Sequence, residues 1–236
     1  MSKNIKKITE DLERYQELYK KRMSLPAANF WKMLSISHLV YMKASTELQS
    51  DTNIAEERKR DAISQSAKNL IINLVTATEV FLKDLMRDIC DKYTKFLTND
   101  GLSELLKEKI SLREAFILLK DKEISLGEFI GSYFLFESIM DIDNKFTKLT
   151  GKNFLNEIEK LEFNLDESKK KFFGKEKLCL VQDFPKWREE INKMFRLRHE
   201  FVHHLNFSDP VSYKTVYEIL DSVTAFITVL ECQYRI

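Results

Sequence analysis

Apolar residues recur every three or four positions along most of this 236-residue chain, which is the spacing of amphipathic helices. The clearest case runs from about residue 61 to 97. One wide apolar face there carries Leu70, Ile71, Leu74, Val75, Leu82, Leu85, Met86 and Ile89. The same spacing predicts helices over 3–24 and from Pro26 to about Leu48, with a polar loop over 49–60.

The second half of the chain is also read as helical. Shorter patterns predict helices over 102–110, 111–120, 125–140 and 152–161, with a capping box at Ser111 and a basic loop over 169–175. Asp183 and Pro185 are expected to open a helix that runs to about His204. Asp209 and Pro210 are expected to begin the last helix. The final two helices therefore form a hairpin, and no stretch makes a convincing strand.

Composition agrees with the helical pattern. Only 5 Gly and 3 Pro occur, whereas 44% of the residues are hydrophobic, which is enough for a sizeable core. We expect an all-α protein of two parts: an N-terminal helical extension over residues 1–50 and a helical domain over 51–236.

Charge and cysteine content favour an ordinary intracellular protein. The 38 Lys and Arg nearly balance the 37 Asp and Glu, so the overall charge does not indicate a nucleic-acid or membrane partner. The three cysteines are odd in number and widely spaced, which favours neither a disulfide framework nor a thiolate metal site. No apolar run is long enough to span a membrane, and no signal segment follows the first Met. We therefore expect a cytoplasmic location.

The densest chemistry lies at the end of the penultimate helix, where three of the four histidines fall within residues 199–204. At about 100° per residue, Arg196, His199 and His203 share one side of that helix, and His204 follows them. A helix C-terminus favours a protonated imidazole, which can donate a proton or contact a phosphate. Arg198 instead falls on the apolar stripe.

An arginine at an apolar position needs a carboxylate partner or a functional role. Glu79 lies on the apolar face of the long helix and is the natural candidate for pairing with Arg198. The alternative is that Glu79 stands at the edge of that face and extends into solvent.

These residues resemble a known family. Arg198-His199-x-x-x-His203 is similar to the R-x(4-6)-H motif of HEPN ribonuclease domains, and the helix around Glu79 resembles their first long core helix. The spacing leaves open which arginine and histidine form the motif, because Arg196 to His203 and Arg198 to His204 also fit. The resemblance covers about residues 61 to 233.

The resemblance implies a HEPN-like helical bundle and a metal-independent endoribonuclease with no cofactor. It implies a homodimer with two motifs facing each other across the interface, RNA as substrate, and a toxin or phage-defence role with an antitoxin or sensor protein as partner. Arg198, His199 and His203 would be catalytic, with Glu79, Arg196 and His204 in support. Leu205 stands where some members have a tyrosine that a partner enzyme modifies, so that regulation is not expected.

Two other readings remain. His199-Glu200-x-x-His203 also matches the H-E-x-x-H motif of zinc peptidases, with Asp209 as third ligand and Glu200 as general base. The flanking arginines and the lack of strands argue against it. The third reading is a non-catalytic helical interaction module, in which the basic residues only cap the helix end.

Overall fold

A computed structural model describes residues 26–93, 100–101, 103–104, 125–203 and 211–234. The described elements, in chain order, are α1 (Pro26–Ser50), α2 (Glu56–Asp91), α3 (Leu126–Tyr133), α4 (Ile139–Thr150), α5 (Phe154–Ile158), β1 (Phe163–Asn164), α6 (Glu167–Phe173), β2 (Lys177–Leu178), α7 (Leu180–Asp183), α8 (Trp187–His203) and α9 (Tyr213–Tyr234). The predicted all-α class is confirmed. No described helix is both long enough and apolar enough to cross a membrane.

Contacts divide the described chain into two compact units, residues 79–157 and residues 27–78 together with 158–234. Helix α2 belongs to both units: its residues up to 78 lie in the unit with 158–234, and its residues from 79 on lie in the unit of 79–157. The predicted boundary near residue 50 stays a prediction. The predicted helix over 3–24 and the capping box at Ser111 lie outside the described residues.

In the unit of residues 79–157, the end of α2 holds the start of α3. The Asp91 carboxylate accepts hydrogen bonds from Ser125 Oγ at 2.6 Å and from the Gly127 backbone N–H at 2.9 Å. Ser125 and Glu128 form a capping box, so two otherwise unsatisfied N–H groups of α3 are bonded. Further along, Phe146 stacks on Phe136 and Phe154, with ring centroids 5.9 and 4.6 Å away.

The predicted single helix over 125–140 is wrong, because the chain leaves helical geometry between α3 and α4. Phe134 is extended, with φ −92° and ψ 133°, and Ser138 caps α4 by accepting from the Asp141 N–H. Phe134 and Phe136 are buried, whereas Leu135 between them is 57% exposed. This alternation has the period of an extended strand and places both rings in the core.

In the unit of residues 27–78 and 158–234, helix α9 forms the centre. All its residues from Ser222 to Leu230 are buried, so other elements surround it there. Helix α1 runs along it, and the Trp31 indole N–H donates to Glu231 at 3.2 Å. Helix α8 packs on another side, where Trp187 stacks on Phe226 with ring centroids 5.3 Å apart.

The predicted basic loop over 169–175 and the predicted absence of strands are both wrong. Residues Glu167–Phe173 form helix α6, because Asp166 accepts a hydrogen bond from the Lys169 N–H and Gly174 ends the helix at φ 67°. Strands β1 and β2 flank α6 and pair antiparallel, with Phe163 opposite Leu178.

Three predicted helix starts also shift. Helix α2 begins at Glu56. Glu56 and Glu57 lie in its first turn, where negatively charged side chains interact favourably with the helix dipole. Leu180–Asp183 is a separate turn before α8, in which Asp183 accepts from the Cys179 N–H at 2.8 Å. Helix α9 begins at Tyr213 because the Ser212 hydroxyl accepts from the Thr215 N–H at 3.1 Å.

Candidate functional site

The candidate residues lie on the last two turns of α8, and α9 fixes the position of that helix. Trp187, Ile191, Met194 and Phe195 are buried and anchor the start and middle of α8. Trp187 stacks on Phe226 of α9, and Lys193 Nζ lies 3.9 Å from Glu218 Oε2, so the two helices run antiparallel.

One exposed face of α8 carries Arg196, His199 and His203, as predicted. All three are exposed, and the two imidazole rings lie with centroids 4.5 Å apart at 45°. Their spacing of three and four residues places them on successive turns. The face combines one permanent cation with two imidazole rings, each of which carries a hydrogen-bond donor and an acceptor when it is neutral.

Arg198 is half-buried and lies about 200° around the helix from Arg196. Its neighbour Leu197 is buried, and Phe201, one turn further, is half-buried with Lys68 Nζ 5.7 Å from its ring centroid. The two arginines thus have different environments, one in open solvent and one beside the core. Which of them belongs to the motif stays open.

Two of the predicted supporting residues, Glu79 and His204, lie outside the described turns of α8, and the structure describes only Glu79. Glu79 is half-buried on α2, in the stretch that belongs to the other unit, and its pairing with Arg198 stays a prediction. His204 lies outside the described residues. So does Asp209, the proposed third ligand of the zinc reading.

The described part of the chain does not support the interpretation as a zinc peptidase. No group of three or more potential metal ligands among the described residues is close enough to hold a metal ion. The strands that the structure describes are two residues each, too short to align a peptide substrate beside His199 and His203. Arg196 also shares their face and would repel a dication.

Charged side chains flank the exposed face on the side of α9. Lys193 contacts Glu190 at 3.3 Å and Glu218 at 3.9 Å, and Lys214 contacts Glu218 at 3.7 Å. Two lysines therefore share one α9 carboxylate that is 43% exposed. The two lysines and the two glutamates balance each other, so the positive charge of this surface comes from Arg196 rather than from this pairing.

The sequence reading missed the fourth histidine. His38 Nε2 lies 3.2 Å from the Tyr217 hydroxyl, and Tyr213 packs on Tyr217 with ring centroids 4.2 Å apart. His38 and Tyr217 are 179 residues apart, and their separate helical patterns do not indicate that they meet. Both His38 and Tyr217 line a pocket.

A family model described as RiboL-PSP-HEPN matches residues 28–234 of the chain. The matched region includes helix α1 as well as the helices that carry the candidate site. No curated protein and no solved structure matched the chain.

Proposed function

Because the chain belongs to the HEPN domain family, and this membership indicates an RNase-type or nucleotide-related role in general, we propose that it is a metal-independent endoribonuclease. The observation that carries the proposal is the exposed face of α8, where Arg196, His199 and His203 stand together. A side-chain proton carrier next to a fixed cation is what RNA cleavage by internal attack requires.

In the proposed reaction a ribose 2′-oxygen attacks the adjacent phosphorus. The new 2′-O–P bond forms as the P–O5′ bond breaks, which leaves a 2′,3′-cyclic phosphate and a free 5′-hydroxyl. His203 moves a proton in this exchange, and Arg198 balances the negative charge that accumulates on the phosphorane-like transition state. No metal ion takes part.

The neighbouring residues have supporting roles in this proposal. His199, whose ring is 4.5 Å from that of His203, orients it or binds phosphate. Arg196 and His204 extend the phosphate-binding surface. We further propose a homodimer in which two motifs face each other, with a toxin or phage-defence role and an antitoxin or sensor protein as partner.

The test is cleavage of labelled total or transfer RNA by the purified protein in excess EDTA. We expect cleavage to survive the chelator, and His203→Ala and Arg198→Ala each to lower the rate by about 100-fold or more. Arg58→Ala is the matched control, because Arg58 is an exposed arginine on α2, away from the motif. Circular dichroism confirms that each variant is folded.

The outcomes separate the three readings. Cleavage that EDTA abolishes, or copurifying zinc with chelator-sensitive peptidase activity, would refute the metal-free mechanism. A folded dimer that binds RNA or protein partners but cuts nothing would support the interaction module instead.

Arg196→Ala, compared with Arg198→Ala, identifies the arginine of the motif. We expect the larger loss of turnover from Arg198→Ala and a rise in KM from Arg196→Ala, because Arg196 lies in open solvent where it attracts the phosphate backbone. The reverse pattern would make Arg196 and His203 the catalytic pair.

A further inference from the structure

A pocket of about 380 Å³ lies between α1, α9 and the segment around α6. Its volume is within the range of small-ligand sites. The lining residues are Leu34, His38, Phe172, Phe173, Phe184, Tyr217, Leu220, Asp221 and Thr224. All belong to the same unit as the α8 motif, and none belongs to the motif itself.

Aromatic rings form most of the pocket wall. Phe173 lies edge-on to Phe172 and to Phe184, with ring centroids 4.9 and 6.2 Å away. Phe172 is 60% exposed, an unusual exposure for a phenylalanine held in a fixed position by Phe173 and by Trp31. Flat aromatic surfaces of this kind are what unpaired nucleobases stack on.

The polar groups of the pocket are few. Tyr217 donates its hydroxyl hydrogen to Met42 Sδ at 2.9 Å, and His38 Nε2 lies within hydrogen-bond distance of the Tyr217 oxygen, at 3.2 Å. By contrast, no described residue donates a hydrogen bond to the Asp221 carboxylate or forms an ion pair with it. Asp221 lies at the pocket mouth, where partial burial raises the pKa of its carboxyl group.

Along the axis of the α8–α9 hairpin, the pocket lies further from the closed end than Arg198 does, and His203 lies five residues beyond Arg198 toward that end. Lys193 is level with Glu218, so Arg198, five residues nearer the closed end of the hairpin, is level with Tyr213, five residues before Glu218. Tyr217 and Asp221 follow Tyr213 by four and eight residues. At a rise of about 1.5 Å per residue, they lie about 6 and 12 Å along the helix from the level of Arg198.

We propose that this pocket binds one nucleobase of a single-stranded RNA, close in sequence to the cleaved bond, and that it prefers guanine. The exposed ring of Phe172 would stack on the base, and Phe173, whose ring stands at 83° to that of Phe172, would contact the edge of the base. Guanine presents two adjacent N–H donors, N1–H and N2–H, which match the two oxygens of the Asp221 carboxylate. The choice of ligand rests on the proposed ribonuclease function.

The test measures binding of the four nucleoside 5′-monophosphates to the full chain by isothermal titration calorimetry, with no cleavage involved. We expect guanosine monophosphate to bind most tightly, and Asp221→Asn to weaken its binding by about tenfold or more. Asp61→Asn is the matched control, because Asp61 is an exposed aspartate on α2 outside the pocket. Phe172→Leu keeps an apolar side chain but loses the ring, and should weaken all four nucleotides.

Both pocket substitutions are at exposed positions, so the variants should fold. The pocket proposal is wrong if no nucleotide binds at millimolar concentration, or if Asp221→Asn and Asp61→Asn bind guanosine monophosphate equally well. It is also wrong if the pocket binds benzyltrimethylammonium, an aromatic cation, and no nucleotide. Failure of the nuclease proposal is distinguishable from these results. In that case His203→Ala leaves RNA processing unchanged, whereas nucleotide binding still depends on Asp221.

Discussion

At the scale of single residues, the most heavily buried charges among the described residues lie on α2. Arg87 and Asp88 are 5% and 1% exposed, and Arg87 Nη2 contacts Asp88 Oδ1 at 2.6 Å. Lys92 Nζ reaches the other oxygen of Asp88 at 3.0 Å from a position that is 56% exposed. A buried carboxylate requires such partners, since its desolvation is costly.

We predict that Arg87→Met lowers the free energy of unfolding by about 3 kcal/mol, because it leaves Asp88 charged and buried with one exposed partner. Lys92→Met, at the exposed end of the same cluster, should cost less than about 1 kcal/mol. Urea unfolding monitored by circular dichroism measures both. Equal losses would show that Arg87 does not balance the charge of Asp88.

The residue scale also shows what a sequence can and cannot indicate about a site. The spacing of Arg196, His199 and His203 predicts a shared helix face, because that depends only on local helix geometry. The exposure difference between Arg196 and Arg198 depends on what packs against α8. The contact between His38 and Tyr217 depends on how α1 lies along α9, which no local pattern contains.

At the scale of elements, the predictions from sequence are wrong where short local signals decide the structure. The long pattern of α2 predicts its existence well, because many apolar positions agree. The end of α3 depends on Phe134 and Phe136 fitting the core in alternation, and α6 depends on a cap at Asp166 and a glycine at 174. The lysine-rich stretch at 169–175 is predicted to be a loop when only its charge is considered, because the charge pattern does not show the two caps.

Two glycines allow a prediction that separates steric contact from backbone conformation. A Cβ at Gly127 would collide with the Arg87 carbonyl oxygen and the Asp91 carboxylate, whereas a Cβ at Gly174 would meet nothing within 4 Å but would adopt φ 67°. We expect Gly127→Ala to cost about 3 kcal/mol in unfolding free energy and Gly174→Ala about 1 kcal/mol. Thermal unfolding of the two variants checks the order, and a larger loss at Gly174 would contradict it.

At the scale of the whole molecule, a net charge of +1 gives the chain little long-range attraction for RNA. The proposed RNA binding therefore depends on local features: the exposed face of α8 with Arg196 and the histidines, and the aromatic pocket beside α9. Val202, next to His203, is 46% exposed on the same end of α8. A second copy seated on this end would cover that apolar side chain and bring two motifs together.

The homodimer proposal therefore predicts that catalysis depends on protein concentration. As the protein is diluted, the cleavage rate per protomer should fall over the same range in which analytical ultracentrifugation shows the dimer dissociating, because a lone protomer holds half of the composite site. Val202→Lys should shift both curves to higher concentration, since it places a charge in the interface, whereas His203→Ala should abolish cleavage without moving the dissociation curve. A rate per protomer that stays constant while the dimer dissociates would mean that each α8 works alone.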